Sequence, residues 1–220
     1  MLTYERVKND PEIRKYITAA NEALDAIGFN EHSFPHVTRV AETASGILAS
    51  LGYSERECEI AKITGFVHDI GNLVNRVDHA HSGAMMAFML LRDMGADPTE
   101  LAAITSAIGN HDENTASPVS ALAAALILAD KSDVRRSRVV DTGDVANFDI
   151  HDRVNYSVIH SVARVSDDKA FYDMDLVIDT AYGSVMEYFE IFTGRMALCR
   201  RAAAKLGLRF RLRINGQQLL

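Results

Sequence analysis

Five stretches of this chain carry side chains of the kind that bind metal ions: His36, the adjacent pair His68-Asp69, His79 with His81, His111, and Asp130. Imidazole nitrogens combined with carboxylate oxygens suit Mn, Fe, Co, Ni or Zn better than an all-oxygen magnesium site. The adjacent pair, in Phe66-Val67-His68-Asp69-Ile70-Gly71-Asn72, is the most informative of the five. Neighbouring helical residues point about 100° apart, so His68 and Asp69 cannot share one face cleanly. Both can still lean toward one ion at a helix end. The two oxygens of an aspartate can also touch two ions. Ions placed there would acidify a bound water and make it a nucleophile near neutral pH.

The elements that must carry these residues are helices. Residues 36–51 place Val37, Val40, Ala41, Ala44, Ile47, Leu48 and Leu51 at helical spacing, and Gly52 closes the run. Ser54 and Glu57 form a capping box for a helix expected to reach Ile70 and stop at Gly71. Further helices are predicted over 80–94, from Pro98 to about Asn110, and from Pro118 to about Ser132. On these helices Asp130 falls in line with Ala123, Leu126 and Ile127, and His111 with Ile104 and Ile108. His36 opens its helix, and His68-Asp69 occupies a last turn, where the helix dipole favours a cation. The candidates therefore recur at helix ends or on inward faces, as a metal site inside a bundle requires. Each has an ordinary alternative. A single inward histidine is more often a hydrogen-bonded core residue. A buried carboxylate such as Asp130 must be paired, protonated or metal-bound, and Lys131 or Arg135 could pair it. His151 and His160 read as ordinary, and His32 as a loop residue.

After about residue 153 the period changes. Val154, Tyr156 and Val158 alternate with polar residues, 171–178 reads as a second strand, and 208–214 alternates cleanly. Between them 183–206 is a long amphipathic helix. The expected fold is mainly α: a helical metal-binding domain over 1–150, then a 151–220 appendage of small antiparallel β-sheet plus one long helix. The appendage can extend the pocket, cap the bundle or meet another subunit, which leaves a homodimer open. Seven basic residues and no acidic one follow Glu190. That block reads either as a phosphate site or, more simply, as a face paired to Asp173 and Asp175.

Size and composition exclude several classes. The 220 residues are 48% hydrophobic, enough for one sizeable core. A net charge of −7 argues against nucleic-acid binding. The longest apolar stretch, Val119 to Ala129, is too short to span a bilayer. The first residues do not read as a signal peptide, and two cysteines form no disulfide framework, so a cytoplasmic setting is expected.

In its order of His36, His68-Asp69 and Asp130, the chain resembles the HD superfamily of metal-dependent phosphohydrolases over about residues 30–140. The resemblance implies an HD-type helical bundle in which these residues hold one divalent ion and Asp69 bridges to a second. His79 in His79-Ala80-His81-Ser82-Gly83-Ala84 is similar to the family's His-x-x-x-Gly-Ala and is preferred over His81 as an added ligand. His111 is the other. The implied activity is hydrolysis of a nucleotide or other small phosphoester by a metal-activated hydroxide, with Asp69 and His68 at the catalytic centre. Lys131 and Arg135, with Arg136 or Arg138, are candidates to hold phosphate. An HD-type di-iron oxygenase and a nucleotide-sensing module without turnover are the alternatives. Asn72 stands where the cyclic-dinucleotide phosphodiesterase branch carries Lys, Asn110 precedes His111 where that branch has a second His, and no Gly-Tyr-Pro follows. That branch's substrate is therefore not carried over.

Overall fold

The computed structural model describes residues 1–139 and 148–220. The last part of the expected helical domain, 140–147, lies outside the described residues. Helices α1 (Tyr4–Lys8) and α2 (Pro11–Asp25) lead into α3 (Phe34–Ser50), α4 (Glu55–Val67), α5 (His79–Asp93), α6 (Pro98–Gly109) and α7 (Ala121–Lys131). The Ser54–Glu57 capping box is present, with both of its reciprocal hydrogen bonds. Two boundaries differ from the sequence reading. Helix α4 ends at Val67, and a short 3-10 turn over Ile70–Leu73 follows it. Helix α7 begins after Ser120, whose side chain accepts from the backbone N–H of Ala123. A capping hydroxyl therefore outweighs Pro118 as the start signal.

Close helix packing depends on glycine at two places. A Cβ on Gly65 would lie 2.7 Å from the backbone of Ala41, so α3 and α4 meet backbone to backbone. A Cβ on Gly71 would lie 2.1 Å from the carbonyl oxygen of His79 and 2.3 Å from the amide nitrogen of Gly83. The turn after Asp69 therefore rests directly on the first turns of α5.

The C-terminal segment begins with α8 (Ile150–Ser157), then β1 (Val158–Val165), β2 (Phe171–Ile178), α9 (Val185–Lys205), β3 (Arg209–Ile214) and β4 (Gln217–Gln218). Two expectations are corrected here. The alternation at Val154 and Tyr156 is not strand: Asp149 caps a helix with its side chain, and the strand starts only at Val158. The sheet is mixed and not antiparallel throughout. Strands β1 and β2 are antiparallel, β2 and β3 parallel, and β3 and β4 antiparallel. The parallel pair follows from α9, which carries the chain back to the end of the sheet where β2 began. The parallel register sets Asp173 beside Arg211 and Asp175 beside Arg213. Both pairs are ion pairs, so this part of the basic block is paired, as its simpler reading expects.

One buried apolar cluster runs from Leu2 and Val7 through α3, α4 and α7 to Tyr172, Phe192 and Leu212. The hydroxyl of Tyr172 donates toward the Leu128 carbonyl at 3.3 Å and lies 3.2 Å from the Ser132 hydroxyl, so the sheet supports the end of α7. No helix among the described residues is long and apolar enough to cross a membrane. Cys58 and Cys199 are free thiols.

Candidate metal centre

Five helices and one turn converge beside the Gly71–Gly83 contact. His36 enters from the first turn of α3, His68 caps α4, Asp69 follows it, His79 opens α5, His111 follows the end of α6, and Asp130 lies in the last turn of α7. All six are buried. Asp69 sits between two pairs of imidazoles. Its Oδ2 is 3.6 Å from His36 Nε2 and 3.4 Å from His68 Nε2. Its Oδ1 is 3.4 Å from His79 Nε2 and 3.6 Å from His111 Nε2. Asp130 Oδ1 adds contacts of 3.4 Å to His36 and 3.7 Å to His68.

These distances are long for hydrogen bonds. They match the spacing of two ligand atoms that each lie about 2.1 Å from a shared ion, which is roughly 3.0–3.5 Å. The ligand atoms of His36, His68 and Asp130 lie within 4.8 Å of one another, as do those of His68, Asp69 and His111. Each imidazole is oriented through its other nitrogen. Nδ1 of His68 is 2.8 Å from the Gly65 carbonyl, Nδ1 of His111 is 2.6 Å from that of Ile108, and Nδ1 of His79 is 3.0 Å from that of Arg76. Nδ1 of His36 meets Asp133 Oδ2 at 2.8 Å. A proton on Nδ1 leaves the Nε2 lone pair for a metal. Nε2 of His36, His68 and His111 are buried without a hydrogen-bond partner. An orphan polar atom of this kind is costly, and three converging on one carboxylate fit a bound cation. Nε2 of His79 is 3.4 Å from Arg76 Nη1.

The electrostatics agree with that fit. Burial alone would raise the carboxyls of Asp69 and Asp130. The imidazoles around Asp69, and Lys131 with the imidazoles around Asp130, outweigh burial and hold both well below the usual carboxylate range. Burial likewise works against a charged His68, and the carboxylates of Asp69 and Asp130 outweigh it, pushing His68 up to about 10. The cluster thus draws in positive charge, which protons or a cation can supply. His79 goes the other way: burial holds it down at about 4.

His81, the alternative to His79, points away. Its side chain is 57% exposed and lies 3.4 Å from Asp78. The cavity beside the cluster has a volume of about 370 Å³ and is lined by Asp69, His79 and Asp130 together with Lys131 and Arg138. Arg135, expected to hold phosphate, is elsewhere. Its Nη2 is 2.9 Å from Glu31 and its Nε 2.9 Å from Asp133. It lines a different cavity of about 420 Å³, next to β1, that contains none of the six clustered residues. Arg135 has extended backbone, φ −161° and ψ 149°, just before the 3-10 turn Arg136–Arg138. Arg136 also lines that second cavity and stacks on Tyr156 and Tyr182.

Four other residues line or support the site without having been singled out for it in the sequence. Asp133, with its carboxyl held low against burial by His36, supports the His36 ring and also meets Arg39 at 3.4 Å. His32 lines the cavity, its ring 5.4 Å from that of His36. Burial, then the charge of Arg138, keeps it neutral. Glu113 and Arg195 line the same cavity and are paired at 2.7 Å. Asp133 left a trace in the sequence by lying three residues after Asp130, and Arg195 by belonging to the basic block after Glu190.

No protein-family model matches the chain. No curated protein matches it either. Among solved structures it is similar to that of a predicted HD superfamily hydrolase from an uncultured Thermotogales bacterium, at 30% identity over 60% of this chain and 73% of that one, with a TM-score of 0.45. The clustered imidazoles and carboxylates of this chain are of the kind that holds a divalent ion.

Proposed function

We propose that this chain is a metal-dependent phosphohydrolase of the HD superfamily that cleaves a small phosphoester, with nucleotides as the leading substrate class. The observation that carries the reading is the division of the Asp69 carboxylate, with Oδ2 toward His36 and His68 and Oδ1 toward His79 and His111. In this reading His36, His68, Asp69 and Asp130 would hold one ion, and Asp69, His79 and His111 a second. Their mixed nitrogen and oxygen donors fit Mn, Fe, Co, Ni or Zn. Such ions would acidify a water and polarise a phosphoryl oxygen.

The chain's own residues would do the rest. The imidazoles around Asp69 hold its carboxyl well below the usual carboxylate range, so both of its oxygens would be available to ions. The Nδ1 bonds of the four histidines fix each ring with its Nε2 inward. Lys131 and Arg138 present cations to the cavity. The cavity lining also favours an anionic ligand once ions are present. Six acidic side chains (Asp69, Asp112, Glu113, Asp130, Asp149, Asp152) and four basic ones (Arg76, Lys131, Arg138, Arg195) line it among the described residues. One divalent ion brings that lining to neutrality, and a second makes it positive.

Hydrolysis of a nucleotide panel under titration with each metal tests this. The expected result is phosphate release that rises with metal content and disappears in Asp69→Ala. A fully loaded protein that releases no phosphate, or an Asp69→Ala variant as active as the parent, would overturn it. Oxygen consumption by the iron-loaded protein would replace hydrolysis with oxygen chemistry.

A further inference from the structure

Among the described residues, Arg195 is the one member of the C-terminal basic block that reaches the cavity beside Asp69 and Asp130. It comes from α9, outside the stretch that carries the metal-binding motif. Its Nε donates to Glu113 Oε1 at 2.7 Å, and its guanidinium lies 4.0 Å over the ring of Phe192. The same Glu113 oxygen is 3.8 Å from Lys131 Nζ, which is 2.7 Å from Asp130 Oδ2. Glu113 therefore holds two cations side by side next to a candidate metal ligand.

An arginine that served only to tie α9 to the segment after His111 would use its paired donors on the carboxylate, the stronger arrangement. Here Nε alone is used, and neither terminal nitrogen has a hydrogen-bond partner among the described residues. Phe192, buried beneath it, fixes the plane of the guanidinium. Arg138 enters the same cavity with Nε on the Glu31 carbonyl and Nη1 on the Asp133 carbonyl, both at 3.0 Å, and with no hydrogen bond from Nη2 among the described residues. Arg195 and Arg138 are close enough to repel one another, and both are attracted to Asp130. A buried guanidinium and a half-buried one thus face one cavity with donors to spare, an arrangement suited to gripping one anion between them.

We propose that Arg195, with Arg138 and Lys131, forms the seat for a phosphate group, and that Arg195 is the residue that selects a phosphorylated ligand. This rests on the phosphohydrolase reading for its catalytic meaning but not for its binding prediction. The rest of the lining, including Asn30, Asn114 and Asn155, offers amides to hydroxyl groups. The ligand class is therefore the phosphomonoester of a hydroxylated molecule such as a nucleoside or sugar.

Calorimetric titration of the manganese-loaded protein with inorganic phosphate tests the seat. It should be run on the parent chain, Arg195→Met, Arg195→Lys and the exposed control Arg200→Met, with metal content and thermal melting measured on each. The expected result is a loss of phosphate affinity of about 10- to 100-fold in Arg195→Met, with metal content unchanged. Arg195→Lys should fall between it and the parent, because it keeps the charge and loses the paired donors, and Arg200→Met should match the parent. If Arg195→Met does not fold, the Arg195→Lys loss alone carries the test. Phosphate binding as tight in the Arg195 variants as in the parent would overturn the proposal, as would a parent that binds no phosphate. Hydrolysis of p-nitrophenyl phosphate by the same samples separates the two readings. Arg195-dependent binding without turnover removes the hydrolase and keeps the seat. Turnover with Arg195-independent binding does the reverse.

Discussion

At the scale of single residues, each ligand atom is placed by a bond to the opposite side of its ring. Three of those bonds go to backbone carbonyls of residues three positions earlier. Short-range geometry alone therefore directs His68, His79 and His111. His36 depends instead on Asp133, 97 residues away in the chain. Replacing Asp133 with Asn should lower metal affinity by about 10- to 100-fold, the usual cost of losing an imidazole's outer partner, read by competition with a chromogenic chelator. Affinity equal to the parent's would show that the ring needs no carboxylate behind it. The two histidines of His79-Ala80-His81 should separate in the same assay. His79→Ala should lose metal, and His81→Ala, altering an exposed side chain, should not. The sequence spacing favoured His79, and helix geometry explains why: two residues apart on α5 is about 200° of rotation, so only one ring can face Asp69.

At the scale of elements, the decisive contact is between the turn after Asp69 and the start of α5. Gly71 and Gly83 are the two residues that allow it. Gly71→Ala pushes a methyl into backbone that cannot rotate away, and should cost more than the ~1–3 kcal/mol of ordinary overpacking. Gly46→Ala is the matched contrast. Its Cβ would meet nothing within 4 Å on the exposed face of α3, so the better helix former should stabilise by up to ~1 kcal/mol. Thermal melting of both variants checks the pair, and a Gly71→Ala variant that melts with the parent would refute the close approach. The helices themselves were legible because apolar spacing and caps are local. The Val154–Tyr156 misreading has the same origin. A short alternating pattern fits either state, and the Asp149 cap settled it as helix.

At the scale of the whole molecule, the C-terminal sheet is held to the bundle through Tyr172 and the apolar cluster it joins. It is held within itself by the Asp173–Arg211 and Asp175–Arg213 ion pairs. The hydrogen bonds from Arg211 outweigh burial and keep the Asp173 carboxyl below its ordinary 3.8. A depressed carboxyl contributes stability above its unfolded pKa and loses it as pH falls through the folded value. The stability difference between the parent and Arg211→Met should therefore be full near about pH 7 and shrink below about pH 4. Urea denaturation across that range measures it. A difference that stayed constant down to about pH 3 would assign the effect to packing of Arg211 over Phe171, 4.1 Å away.

The sequence by itself determined the helices, the inward placement of His111 and Asp130, and the ordered His36, His68-Asp69, Asp130 pattern. All of these follow from local spacing and from residue chemistry. Only the tertiary structure decided that the two oxygens of Asp69 face different histidine pairs, that Arg135 serves Glu31 and Asp133, and that Arg195 from the far end of the chain lines the cavity. Long-range contacts leave no periodic trace in one chain, because an arginine that pairs on the surface and one that lines a cavity have the same local spacing.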